Sequence, residues 1–307
     1  MPRPSRFQIL KYAKPRIAAV LEHYGNRVFS ESEFQEVLLA NRDNWNLANI
    51  TTFQNFVDFL VEQNIITVLL IKTTPKKHLR RFLFGSPSIY EIALSLSSGS
   101  YLTHFSALHL HALTEEVPKT IYINREQSSP GGHIYGEELE QKRIDFAFSR
   151  PMRKSNLAKE LIYDKTAYRI ITLNGRNTGR LGVTELDLGG TTLRTTNLER
   201  TLIDATVRPD YSGGVINVFL AYQNAKPHLS VNRLVAYLKR LEYKYPYHQS
   251  VGFYLENAGY GKDALQLLEE FEIKYKFYLA YKMPKKKFSE KWGVFYPDGL
   301  FPETNSA

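Results

Sequence analysis

The sequence predicts an α+β fold in two domains, a small helix-rich part over residues 1–85 and a larger mixed part over residues 86–307. Three observations carry this expectation. A chain of 307 residues is longer than a single core usually organises. Its first 63 residues show helical periodicity and then give way to a β-branched run at 65–71. Beyond residue 120, strand-like runs come mostly first and amphipathic helical runs mostly later, the segregated order of α+β domains.

The composition is that of an ordinary globular protein, with 43% hydrophobic and 23% charged residues, and excludes a disordered chain. No window approaches the roughly 18 consecutive apolar residues of a membrane span. The basic start MPRPSRFQILKYAKPR lacks the apolar run and small-residue cleavage site of a signal peptide. With no cysteine, disulfides, thiolate zinc sites and cysteine nucleophiles are excluded, and a cytoplasmic location is expected. The net charge of +9 is unevenly spread: residues 1–85 hold 12 basic and 7 acidic side chains. More than half the excess therefore lies in the first quarter, as in a polyanion-binding module.

A first helix takes in residues 15–21, with Pro15 suited to a first-turn position and Gly25 to the left-handed position after the end. A second begins at Ser30, which has capping-box spacing to Glu33, and buries Phe34, Val37 and Leu38. After a loop with Asn44 and Asn46, a third helix is expected over 48–63, its apolar stripe being Ile50, Phe53, Phe56, Val57 and Leu60. Its other side carries Thr51 and Asn55, flanked by Asn49, Thr52 and Gln54. Such small and amide side chains bond base edges and phosphates. Asp58 and Glu62 come only farther along, as suits a helix that enters a major groove by its N-terminal end.

Residues 65–71 then read as a strand, 72–77 as a turn and 79–84 as the returning strand. A hairpin bearing Lys72, Lys76, Lys77 and Arg80, directly after a third helix, reads as the wing of a winged helix-turn-helix. Its cations neutralise phosphates whatever the base sequence. Double-stranded DNA is the expected partner.

Ser86-Pro87 reads as the joint to the second domain. Helices are expected there at 88–97 and 103–113, and strands at 120–124, 143–148, 168–173, 183–188 and 191–195. Asn197 caps a helix over 198–207, with Glu199 at the positive end of its dipole. Helices at 215–223, 231–241, 248–257 and 262–271 follow, and a last strand pair at 276–281 and 292–296.

No catalytic set, metal or cofactor is expected in this domain. His104, His109 and His111 are separated by five and two residues, which puts them on different faces of a helix and not around a metal. There is no Gly-x-x-x-x-Gly-Lys-Ser/Thr phosphate loop and no Gly-x-Ser-x-Gly elbow. Neither Gly85-Ser86 nor Gly99-Ser100 is followed by the paired acids of a nucleotidyltransferase. Residues 175–182, Gly-Arg-Asn-Thr-Gly-Arg-Leu-Gly, lie between two strand-like runs and read as a hairpin turn, with Arg176 and Arg180 free to touch a polyanion. Glu185, Asp187, Glu199 and Asp204 are the carboxylates a metal-dependent nuclease could use, but they lack an acid followed by acid-x-lysine.

Three segments resemble the AbiEi antitoxins. The first is Tyr101-Leu102-Thr103-His104-Phe105-Ser106-Ala107-Leu108-His109-Leu110-His111-Ala112-Leu113-Thr114. The second is Asn197-Leu198-Glu199-Arg200-Thr201-Leu202-Ile203-Asp204, continuing through Arg208-Pro209 and Tyr211-Ser212-Gly213-Gly214. The third is Tyr245-Pro246-Tyr247-His248-Gln249 with Gly252-Phe253-Tyr254-Leu255.

The resemblance implies a bacterial transcriptional regulator of a two-gene abortive-infection operon for phage defence. It implies an N-terminal winged helix that represses its own promoter by binding repeated sites. It also implies a C-terminal domain that counteracts a nucleotidyltransferase toxin without needing a stable complex, the type IV toxin–antitoxin arrangement. Most motif residues read as core, among them Leu102, Phe105, Leu108, Leu198, Leu202 and Ile203. Arg176, Arg180, Arg200 and Arg208 are the candidate functional surface. Two alternatives stay open, a DNA-targeted metal-dependent nuclease and a winged-helix repressor without antitoxin activity.

Overall fold

The computed structural model describes residues 4–25, 27–74, 76–128 and 138–301. The first three residues of the basic start and Pro75 of the expected turn lie outside them. The fold is mixed α+β and divides into two compact units, residues 1–98 with 158–170, and residues 99–157 with 171–307. Among the described residues no helix is long and apolar enough to cross a membrane.

In chain order, α1 (Arg6–His23), β1 (Val28–Phe29), α2 (Glu31–Asn41), α3 (Phe53–Glu62), β2 (Ile66–Thr74), β3 (Lys77–Phe84) and α4 (Ile89–Leu94) open the first unit. The second begins with β4 (Tyr101–Leu102), α5 (His104–Leu110), β5 (Thr120–Glu126) and α6 (Gln141–Phe148). Next, β6 (Ala158–Tyr163) and the first half of β7 (Thr166–Gly175) return to the first unit. The rest of the second comprises β8 (Val183–Leu188), β9 (Thr191–Thr196), α7 (Leu198–Val207), α8 (Gly214–Ala225), α9 (Val231–Leu241), α10 (Tyr247–Asn257) and α11 (Lys262–Glu269). Three short strands close it: β10 (Phe277–Tyr278), β11 (Lys286–Ser289) and β12 (Val294–Pro297).

In the first unit, Leu10, Ala13, Ile17 and Leu21 recur every three or four residues and bury one face of α1. That helix starts well before the expected position because Ser5 closes a capping box with Gln8. Pro15 consequently sits inside it, on the exposed side, where its missing N–H removes one backbone bond. The helix ends on an extended Tyr24, at φ −70°, and not on a left-handed Gly25. The core is aromatic. Phe34 stacks on Phe82 at 4.9 Å and Trp45 on Phe56 at 5.6 Å, and burying each such ring contributes roughly 1.5–3 kcal/mol.

Strand order in this unit runs β1-β3-β2-β6, antiparallel throughout. The unit reaches past the joint expected at Ser86-Pro87. Arg27 grips Glu91 of α4 with two bonds of 3.0 and 2.9 Å. The buried Arg81 holds the Ser95 hydroxyl and carbonyl, and Tyr163 of β6 donates to the Pro87 carbonyl at 2.6 Å.

In the second unit the end of β7 is followed by β5-β4-β9-β8, with β4 and β9 parallel and β5–β4 and β9–β8 antiparallel. Helix α7 is buried over almost its whole length, and its Leu202, Ile203 and Ala205 share a core with Val218, Leu234 and Val251. Gly252 of α10 faces the Trp292 ring so closely that a Cβ would lie 2.2 Å from it, a contact only glycine permits.

Two expectations are corrected here. Residues 143–148 belong to helix α6 and not to a strand: Ile144 and Phe148, four apart, are buried while Phe146 is exposed, a helical rather than alternating pattern. Residues 175–182 do not form a hairpin turn, since β7 and β8 are not neighbours in the sheet. The expected last strand pair does form, short and parallel, with Phe277 opposite Val294, and β11 adds an antiparallel strand on the far side of β12.

Candidate functional site

The expected DNA-reading residues do not all reach the surface. Helix α3 begins at Phe53, not near Ala48, with Thr52 as its cap and Asn55 completing the capping box. The reason is Arg42, which donates to the carbonyls of Ala48 and Thr51 at 2.9 Å each. Those carbonyls are held in the loop rather than in a helical ladder. Thr51 is thereby buried, 1% exposed, so the expectation that it faces DNA is corrected. Ile50 is also corrected: it is 68% exposed and contributes nothing to the apolar stripe. Asn49, Thr52 and Gln54 are exposed and Asn55 is half-buried; Gln54 bonds Asp58 at 2.6 Å.

The hairpin cations differ in freedom. Lys76 and Lys77 are exposed at the tip, with no ion pair among the described residues. Arg80 is held by Glu31 through bonds of 3.3 and 2.6 Å, and Lys72 lies 3.9 Å from Glu160. The tip lysines are the ones available to an outside anion.

In the second unit the glycine-rich stretch after β7 does cradle an anion, and that anion is Glu126. Its carboxylate accepts from the backbone N–H of Thr178 at 2.9 Å and of Arg180 at 3.1 Å, from the Thr178 hydroxyl, and from Tyr101 at 3.1 Å. Burial favours the neutral acid, but the Thr178, Arg180 and Tyr101 bonds outweigh it and hold the carboxyl below its ordinary range.

Next to this loop a cavity of about 330 Å³ gathers five cations, Arg153, Lys154, Arg176, Arg200 and Arg208, around a single carboxylate, Asp204. Three of the four expected arginines therefore come together. Arg180 does not: it is exposed and donates to the Gly99 carbonyl at 3.2 Å. Arg200 bonds Asp204 at 2.7 Å and the Leu181 carbonyl at 2.8 Å. Arg176 donates to the Leu241 carbonyl. The half-buried Arg208 guanidinium makes no hydrogen bond or ion pair among the described residues. Arg153 and Lys154 went unnoticed in the sequence because an exposed basic pair between α6 and β6 carries no local pattern; only the fold brings it here.

His104 completes the wall. Thr103 Oγ1 donates to Asp204 at 3.0 Å and lies 3.0 Å from His104 Nδ1. Its one proton is committed to the carboxylate, so Nδ1 is the N–H that donates to it, leaving Nε2 the acceptor. Burial, opposed by Asp204 and assisted by Arg208 and Arg200, pushes the imidazole down to about 4. The ring is neutral at pH 7.

Three of the four carboxylates of the nuclease alternative have separate structural uses. Glu185 lies opposite Arg194, and Asp187 accepts from the Gly190 amide at 3.1 Å. Glu199 accepts from Ser230 and pairs with Arg233, and Asp204 pairs with Arg200. His111 Nε2 is 2.6 Å from the Thr196 carbonyl, away from His104 in role.

No protein-family model matches the chain, and no curated protein matches it. Among solved structures, the RV2827C protein from Mycobacterium tuberculosis is similar, with a TM-score of 0.56 at 13% identity over 92% of this chain and 91% of that one. At that identity the likeness is one of fold, and it agrees with the mixed α+β architecture.

Proposed function

We propose that the first unit is a winged helix that binds double-stranded DNA, and that the chain is an autorepressor and antitoxin of the AbiEi kind. The observation that carries the DNA reading is the hairpin β2–β3. It follows α3 directly and presents Lys76 and Lys77 at its tip, exposed and with no ion pair among the described residues. The exposed start of α3, with Thr52 and Gln54, and Asn49 in the loop before it, supply the groups that read bases, and the lysines supply sequence-independent phosphate contacts. The antitoxin part rests on the resemblance of the motifs at 101–114, 197–214 and 245–255. Its functional partner is a nucleotidyltransferase toxin, and its operator lies in its own promoter. The separate structural uses of Asp187, Glu199 and Asp204 weigh against the nuclease alternative, and no cofactor enters this reading.

The test is binding to the DNA upstream of its own reading frame as a function of salt. The Lys76→Ala/Lys77→Ala variant should lose about 2 units of the slope of log K against log salt, at ~0.9 per phosphate contact. An unchanged slope rejects the wing. For the antitoxin part, co-expression with a neighbouring nucleotidyltransferase should restore growth; growth arrest with and without this chain rejects it.

A further inference from the structure

The cationic cavity is lined by residues of the second unit alone, and we propose that it is a binding site for a small phosphomonoester of nucleotide size. Five cations against one carboxylate is a repulsive arrangement unless an anion joins it. The carboxylate is already neutralised, since Asp204 pairs with Arg200 at 2.7 Å with both side chains under a tenth exposed. That leaves Arg153, Lys154, Arg176 and Arg208 without a counter-ion among the described residues. Arg208 is the sharpest case. Its half-buried guanidinium, at the end of α7, makes no hydrogen bond or ion pair there. A free planar fork on a concave wall matches the oxygens of a phosphate, two at a time.

The size and the remaining wall narrow the ligand. About 330 Å³ lies at the small end of ligand sites, roughly 300–1,000 Å³. It accommodates a phosphate with one sugar and one ring rather than a stretch of nucleic acid. Tyr211 and Tyr243 line the cavity and offer apolar ring surface to such a ligand. His104 offers an acceptor nitrogen, because its Nδ1 is committed to Thr103. Its backbone is left-handed, at φ 51°, a strained conformation for a non-glycine residue that is retained where a site over-determines it.

Isothermal titration of the full chain tests the proposal, with AMP, adenosine, inorganic phosphate and a 5′-phosphorylated dinucleotide as probes. AMP is expected to bind at one site per chain, adenosine not at all, and phosphate to compete. Arg208→Gln should weaken AMP by about tenfold or more, the loss of a charge-assisted contact. Arg208→Lys, which keeps the charge without the fork, should fall between. Arg153→Gln/Lys154→Gln on the exposed rim tests the same charge where folding is not at stake, and should also weaken binding, whereas Arg180→Gln, outside the cavity, should not. Tighter binding of the dinucleotide, still lost in Arg208→Gln, makes a nucleic-acid end the source of the monoester. Saturable binding of neither AMP nor the dinucleotide, or affinity unchanged in both Arg208→Gln and the rim variant, overturns the site. Loss of promoter binding in the Lys76/Lys77 variant bears on the first unit alone, so the two readings fail separately.

Discussion

Arg200 and Asp204 lie one turn apart on α7 and form an ion pair of 2.7 Å whose side chains are only 6% and 9% exposed. Burial alone would disfavour the charged guanidinium, but Asp204 more than reverses it and raises the pKa. Removing one partner leaves the other charged and buried, which costs about 3–5 kcal/mol. Arg200→Ala and Asp204→Ala should each lower the urea unfolding free energy by about that much, while Arg200→Met/Asp204→Leu should recover most of it. A single-variant loss near the ~1 kcal/mol of an exposed pair would show that the bridge does not hold α7.

The features that were legible in the sequence are those made by near neighbours. Asn197 capping α7, Ser30 with Glu33 at α2 and the helix at 231–241 all emerged where expected, because caps and 3.6-residue periodicity act within a few positions. What was missed depends on partners far along the chain. The start of α3 is displaced by Arg42, 9 residues before Thr51. The glycine-rich loop owes its shape to Glu126, 52 residues before Thr178. Arg153 and Tyr243 meet Arg208 only in the folded chain. Local patterning predicts elements; it does not predict which anion a loop will wrap.

The Glu126 cradle gives a second prediction. Glu126→Gln keeps the shape but removes the negative charge to which the Thr178 and Arg180 amides donate. Hydrogen bonds to a charged acceptor contribute about 1.5–3 kcal/mol, so the variant should be less stable by that order. Hydrogen exchange at the Thr178 and Arg180 amides should accelerate more than elsewhere. Unchanged protection at both would mean that the loop is held by other contacts.

His104 gives a third, in pH. Its folded pKa is depressed to about 4 by burial, against about 6.5 in the unfolded chain. Between those values the unfolded state binds more protons, so stability rises with pH and is lost as pH falls from about 6.5 to about 4. The loss attributable to this residue is about 3 kcal/mol. His104→Asn suits the left-handed backbone and carries no titrating ring. Its stability difference from the native chain should therefore shift in its favour by about that amount from pH 7 to pH 4. Parallel unfolding curves for the two proteins over this range would refute the assignment.

The corrected start of α3 separates two neighbours that look alike in the sequence. Thr51 is 1% exposed, and its Oγ1 has no hydrogen-bond partner among the described residues. Thr51→Val should therefore raise stability, because an unsatisfied buried hydroxyl costs about 1–3 kcal/mol. Since the hydroxyl cannot reach a base edge, the same change should leave operator choice untouched. Gln54 is exposed in the first turn, one residue past the helix start, where, on the proposed DNA-binding reading, its amide would meet a major groove entered by that end. On the same reading, Gln54→Ala should relax discrimination at one base pair by about 1–3 kcal/mol while leaving the salt slope, assigned to the lysines, unchanged. Binding to a panel of single-base operator variants measures both. Relaxed choice with Thr51→Val and unaltered choice with Gln54→Ala would mean that DNA is not read from this end of α3.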